Sequence, residues 1–223
     1  MEQQEIWQDI YAQGQQLNRY PWDSVVSFVF ACKPDKPRED TRILEVGCGA
    51  GNNLWFAARE GFNVTGIDFS AAAIDYAKTR FDNENLSGSF AVGSFDQLPE
   101  EDKQYDLIID RGALVCAPLS EIKMAIKQIH QLLNEGGKFL FTPFSQQHSC
   151  FDEQLANEEC YLTITQGPLR KVGKLSFVND EIIKEMFSTG WKILSFRHIT
   201  DKEQAQQTDY HHAEYRIIAE KIA

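Results

Sequence analysis

Basic side chains are scarce in this 223-residue chain, where 22 Lys and Arg face 33 Asp and Glu for a net charge of -11. Phosphate backbones and anionic membranes are held by clustered cations, so neither nucleic acid nor a membrane is an expected partner. Only a local patch such as Arg170, Lys171 and Lys174 runs the other way. No apolar run reaches the roughly 20 residues that cross a bilayer. Met1-Glu2-Gln3-Gln4-Glu5 also lacks the basic and apolar regions of a secretion signal, so the reading is a soluble, cytoplasmic chain. Repeats, low-complexity linkers and breaks in composition are absent too, which predicts one domain over 1–223, as a monomer or homodimer. The five cysteines are odd in number and form no Cys-x-x-Cys pair, so they read as reduced thiols, with Cys32, Cys48 and Cys116 structural. His148, Cys150 and Cys160 fit no common zinc spacing, and no metal is expected.

What is present centres on residues 43–51, Ile-Leu-Glu-Val-Gly-Cys-Gly-Ala-Gly, a short apolar run ending in three alternating glycines. Glycine takes positive φ without a Cβ penalty and lets a ligand approach the backbone, so Gly47, Gly49 and Gly51 read as a ligand-binding turn after a strand. Asn52 opens a segment of helical composition, whose first N–H groups would face the ligand. A dinucleotide turn of the form Gly-x-Gly-x-x-Gly would need glycine at position 52, where Asn stands. A pyrophosphate has no use for the carboxylate of Glu45, whereas an amino-acid ammonium could pair with it directly or through water.

Glu45-Val46-Gly47-Cys48-Gly49-Ala50-Gly51 resembles the first motif of the class I S-adenosylmethionine-dependent methyltransferases, acidic-x-Gly-x-Gly-x-Gly. The order of strands, acids and helices is similar to that family from about residue 42 to 143 and, more loosely, to the end. The segment 62–68 reads as a strand ending in Asp68, with Ser70 as a helix cap. Asp68 stands where a mononucleotide-binding unit places its ribose carboxylate. The resemblance puts Phe69 against the adenine ring. After a third strand at 86–92 the family commonly has Gly-Asp; here Ser94 stands in the acid's place and Asp96 comes two positions later. A Ser94 hydroxyl can accept the same adenine hydrogen bond, and the Phe95 N–H is a second adenine contact. The fourth strand, 105–110, leads into Asp110-Arg111-Gly112-Ala113-Leu114-Val115, a string similar to thiopurine-type and, less closely, some protein-lysine methyltransferases. Ligands sit beyond the carboxyl ends of parallel strands, so Asp110 and Arg111 should border the methionine end of the cofactor. The alternative for Arg111 is a structural ion pair.

Helical spacing over 2–17 and 25–30 predicts a cap over 1–40, with Tyr20 and the segment around it either packed or folded over the cofactor to exclude water. The core would run from 41 to 143, with a helix over 120–134 stopped by Gly136-Gly137 and a fifth strand over 138–144. Residues 144–176 read as an acceptor lid or added hairpin, and 177–223 as a helix capped by Asn179 and two closing strands. His211 and His212, in or beside the connection at 200–211, are candidates for a general base, at most one of which can serve because adjacent extended side chains point apart. Their alternative is as solvent-facing loop residues.

The expected fold is α/β: a doubly wound, mostly parallel seven-stranded sheet with helices on both faces, an antiparallel last strand and an N-terminal helical cap. The expected chemistry is methyl transfer from S-adenosylmethionine to a small-molecule acceptor. Its rivals are a protein-lysine methyltransferase, a non-catalytic S-adenosylmethionine-binding protein, and a nicotinamide-dependent oxidoreductase, which Glu45 and Asn52 argue against.

Overall fold

The computed structural model describes residues 2–95, 104–205 and 208–222. Five parallel strands form its frame: β1 (Arg42–Val46), β2 (Asn63–Asp68), β3 (Ser89–Val92), β4 (Tyr105–Asp110) and β5 (Leu133–Phe141), side by side in the order β3-β2-β1-β4-β5. Two short strands, β6 (Phe144–Ser145) and β7 (Tyr161–Thr163), precede β8 (Lys174–Val178), and the chain closes with β9 (Trp191–Lys202) and β10 (His211–Lys221). β10 runs antiparallel to β5 on one side and to β9 on the other, so β9 is parallel to the first five and the last strand of the chain lies inside the sheet. These seven strands are the sheet expected from the sequence. The other three extend it: β6 meets β10 at Phe144 and Glu214, β8 pairs parallel with β6, and β7 forms a hairpin with β8. At 2 and 5 residues, β6 and β8 are too short for alternation to reveal them, whereas β7 falls within 161–165, which reads as a strand; of the two readings of the insert, lid or added hairpin, β7 and β8 form the hairpin.

The sheet is covered on both faces because its strands are apolar on both. Every residue of β4 is buried, as befits a central parallel strand. Leu44, Val46 and Ile108 face α5 (Leu119–Leu132) and α6 (Asp180–Met186). Ile43, Leu107 and Ile109 face α2 (Asp23–Cys32), α3 (Asn52–Arg59) and α4 (Ala71–Asn83). This is the two-residue period of a pleated strand, with each fully buried Leu or Ile contributing about 1.5–3 kcal/mol. Ser70 caps α4 by accepting from Ala73 N at 3.2 Å, and Asn179 caps α6 by accepting from Ile182 N at 3.0 Å.

Two boundaries differ from the sequence reading. α5 ends at Leu132, before the glycine pair, because Leu133 turns extended to pair with Tyr105. Gly136, at φ 73°, then sits in an irregular start of β5 and is not a helix stop. The N-terminal helix α1 (Gln3–Ala12) ends five residues short of the expected 17 and buries none of its residues. Its hold on the body is partly apolar, Trp7 packing against the cluster around Val115, Leu162 and Phe177, and partly polar. Gln3 donates to Val172 O (2.6 Å) and accepts from Lys174 N (3.1 Å). Gln4 donates to Phe69 O (3.0 Å), and Gln8 Oε1 accepts from Ser70 Oγ (2.9 Å) and Ala72 N (3.1 Å). Three glutamines thereby fasten α1 across the carboxyl edge of the sheet. Among the described residues, no helix is long and apolar enough to cross a membrane.

Candidate functional site

The crevice at the carboxyl ends of β1, β2 and β4 follows from the glycine turn. Gly47, Gly49 and Gly51 all take positive φ, at 66°, 51° and 71°. A Cβ on Gly47 would strike the Ala113 side chain, and one on Gly49 would strike the Tyr11 hydroxyl. The first glycine therefore admits the loop after β4, while the second admits the Tyr11 hydroxyl of α1, which covers the turn there. A cavity of about 100 Å³ lies between that roof and the floor, lined by Trp7 and Tyr11 above and by Gly47, Asp68, Phe69, Phe95 and Arg111 around it. A continuation past Phe69, Ser94, Phe95 and Cys116 opens under Gln3 and Gln4.

The acids of the floor are buried and only partly satisfied. Asp68 accepts Gly49 N on Oδ2 (2.8 Å) and Ser70 N on Oδ1 (2.9 Å), leaving a lone pair on each oxygen for further donors. Burial pushes its carboxyl up to about 6 against the pull of those two N–H groups. Glu45, 2 % exposed, accepts Asn53 Nδ2 on Oε1 (2.6 Å), and its Oε2 has no partner among the described residues. Burial drives Glu45 up to about 8, opposed by the Asn53 hydrogen bond and reinforced by Asp110 and Asp68. Asp110 is fully buried and turned into its own loop, where Oδ1 accepts Ala113 N and Leu114 N at 2.9 Å each while Oδ2 is unpartnered among the described residues. Burial raises it to about 6.

Of the residues singled out in the sequence, Gly47, Asp68, Phe69, Phe95 and Arg111 line the crevice and Ser94 lines its continuation. Glu45, Gly49, Gly51, Asn52 and Asp110 build the floor and its supports. Tyr20 is 70 % exposed, and it is its carbonyl that is used, accepting Asn52 Nδ2 at 2.9 Å. Beside it Trp22 N donates to Asn53 Oδ1 at 3.0 Å, so the first two residues of α3 pin the segment before α2. Asp96 lies outside the described residues. His211 is spent on the carbonyls of Gln147 (2.6 Å) and Asp209 (3.3 Å), outside the lining. His212 reaches the crevice only indirectly, through Glu214: its Nε2 is 3.1 Å from Glu214 Oε2, which is 3.4 Å from Arg111 Nη2. Burial works against the Glu214 charge, yet the His212 hydrogen bond and the Arg111 and Arg216 guanidiniums hold its carboxyl at about 2.

The sequence reading passed over Trp7, Tyr11, Gln8, Cys116 and Glu214. Trp7 and Tyr11 fall within the helical spacing over 2–17 that reads as a cap, and nothing in that spacing says which of its residues roof a crevice. Burial raises the Tyr11 phenol well above its ordinary value, with Asp68 adding to it, so it is a neutral hydroxyl. Cys116 is likewise a neutral thiol, raised by burial to about 12.

Residues 43–137 match the family model described as a methyltransferase domain. The match begins in β1 and ends in β5, spanning the glycine turn and all three acids of the floor. Over that segment the chain is similar to the class I S-adenosylmethionine-dependent methyltransferases. A fatty-acid O-methyltransferase of Mycolicibacterium smegmatis is 24% identical over 178 residues, covering 78% of this chain and 59% of the relative. A solved S-adenosylmethionine-dependent methyltransferase of Methanosarcina mazei superposes with a TM-score of 0.68 at 24% identity, over 83% of this chain and 94% of that one. The [4+2]-cyclase SpnF superposes at 0.71 with 16% identity, over 100% and 98%, so the fold alone does not fix the reaction. The chain spans about half to three fifths of the curated relatives it matches.

S-adenosylmethionine is the cofactor of this family, and the residues present fit it. The two open lone pairs of Asp68 suit a pair of ribose hydroxyls. The unpartnered oxygens of Glu45 and Asp110 are buried acceptors that suit an ammonium, which offers three donors.

Proposed function

We propose that this methyltransferase moves the sulfonium methyl group of S-adenosylmethionine to a small-molecule acceptor by in-line displacement. The observation that carries the reading is the floor of the crevice, where a glycine turn in left-handed backbone lies among three buried acids with unspent acceptor capacity. In the step itself a lone pair of the acceptor bonds to the methyl carbon, the carbon–sulfur bond breaks with its pair kept on sulfur, and S-adenosylhomocysteine leaves.

The chain's contribution is mostly placement. Asp68 would fix the ribose, Phe69 and Phe95 the adenine, and Glu45 the ammonium, so that the methyl group is aimed at one point in the crevice. Holding two reactants in line replaces a bimolecular encounter and is worth about 7–11 kcal/mol at best. Trp7 and Tyr11 form a roof that keeps water from competing for the methyl group. That roof favours a small acceptor over the side chain of a folded protein, which needs an open groove. The fatty-acid O-methyltransferase relative has a small acceptor by its name.

Calorimetric titration with S-adenosylmethionine and S-adenosylhomocysteine, with NADH beside them, tests the cofactor reading. Saturable binding of the first two alone is expected, and binding of NADH alone would overturn it. Release of S-adenosylhomocysteine in the presence of small acceptors then separates an enzyme from a protein that only binds the cofactor.

A further inference from the structure

Arg111 is the first residue after β4, and it lines the crevice beside Val46, Gly47 and Gly112. Its side chain is 13% exposed, and two neighbours fix it in place. The guanidinium carbon stands 4.3 Å from the centre of the Trp22 ring, which is itself tied down through Trp22 N and Asn53. On the other side Nη2 is 3.4 Å from Glu214 Oε2, a long contact to a carboxylate that is already engaged. Arg216 Nε donates to Glu214 Oε1 at 2.7 Å, and His212 Nε2 lies 3.1 Å from Oε2. One buried carboxylate is thus shared by two guanidiniums and an imidazole, and Arg111 has the weakest claim on it. The Arg111 Nε is buried with no partner among the described residues. Leaving such a donor unmet costs roughly 1–3 kcal/mol, more for a charged group.

Arg111 is a cation on the wall of a crevice whose floor is acidic, in a chain of net charge -11. A guanidinium over an indole ring, with its fork only loosely engaged, can offer a carboxylate two parallel N–H donors at once. Given the cofactor reading above, on which this rests, we infer that Arg111 anchors the methyl acceptor and that the acceptor carries a carboxylate. Trp22 and Glu214 act as positioning residues: the first presents the guanidinium, and the second holds it without satisfying it.

The test uses the whole protein saturated with S-adenosylhomocysteine and titrated with hexanoate, benzoate and phenylacetate, each beside its primary amide, by calorimetry and ligand-observed NMR. At least one carboxylate should bind ten-fold or more tightly than its amide. Arg111→Gln should remove that preference while shifting S-adenosylhomocysteine affinity less than three-fold, and Arg111→Lys should recover only part of it. A thermal melt of each variant checks folding, and should the glutamine variant not fold, the lysine variant decides by the same criterion. Equal binding of acids and amides overturns the assignment, as does the absence of binding by all three acids or an unchanged preference in the variant. A loss of S-adenosylhomocysteine affinity as large as the loss of carboxylate binding overturns it too, by giving Arg111 to the cofactor's own carboxylate. Failure of S-adenosylhomocysteine to bind the unaltered protein is a separate result and removes the cofactor reading itself.

Discussion

If Glu45 takes the cofactor's ammonium as proposed, binding should release a proton at neutral pH. Its carboxyl, buried beside Asp110 and Asp68, is raised from 4.5 to about 8. At pH 7 a group of that pKa is protonated in about nine molecules of ten. An ammonium delivered to the unpartnered Oε2 favours the carboxylate, so binding should expel about 0.9 proton at pH 7, about half a proton at pH 8 and about 0.1 at pH 9. The assay is titration calorimetry with S-adenosylhomocysteine in buffers of different ionisation enthalpy, where the slope of observed enthalpy against buffer enthalpy counts the protons. The same displacement acts on stability. An acid raised on folding contributes stability that is present below its unfolded value and lost as pH rises through the folded one. The cofactor-free protein should therefore weaken between about pH 4.5 and 8, with an upper bound on the order of 5 kcal/mol over that whole span for a carboxyl moved this far. Glu45→Gln keeps an acceptor for Asn53 and cannot ionise, so it should lose both the proton release and that pH-dependent weakening. A slope of zero at pH 7 in the unaltered protein, with binding intact, would refute the reasoning.

Gly49→Val places a Cβ against the Tyr11 hydroxyl at a φ of 51°, and left-handed backbone costs a non-glycine residue about 1–2 kcal/mol. It should abolish S-adenosylhomocysteine binding while the far-ultraviolet circular dichroism stays that of a folded chain, and unchanged affinity would show the turn to be misread. Asp68→Ala removes the acceptor of Gly49 N and Ser70 N as well as the proposed ribose contact, and should weaken cofactor binding at least ten-fold. An unaltered dissociation constant would end that role. Replacing Gln3 and Gln8 together by Ala deletes four hydrogen bonds of α1, each worth about 1 kcal/mol. Hydrogen exchange should then quicken in α1 alone, and unchanged protection there would mean that the glutamines do not hold the roof.

The frame of the fold was legible because its strands carry their burial in their composition. Tyr105 to Asp110 is apolar enough to be a central parallel strand, and the structure uses those six residues as β4. Asp68 and Ser70 were readable for a related reason, since a strand-ending acid and a helix cap are local devices that need no distant partner. The Gly136-Gly137 pair misled because it looks like a helix stop, while Leu133 had already left the helix to pair with Tyr105. That pairing is a contact between elements, and no window of sequence contains it.

The site divides along the same line. Its floor is made of local devices, the glycine turn from Glu45 through Gly51 and the strand-ending acids Asp68 and Asp110, and each could be read as a string. Its roof and its arginine cannot, because each is assembled across the chain. Gln3 bonds to residues 172 and 174, so the helix over the crevice is fastened in part to the strand-turn region where an acceptor lid was expected. Arg111 is held by Trp22 from one end of the chain and by Glu214 from the other. A single sequence offers no signal that these three meet, since a tryptophan before a helix, an arginine after a strand and an acid in a closing strand each have ordinary reasons to be there. The consequence is physical. The proposed cofactor contacts on the floor all fall between residues 45 and 110, whereas the proposed acceptor anchor also draws on Trp22 and Glu214 from the two ends of the chain, and changes at those two residues can alter the acceptor without touching the glycine turn.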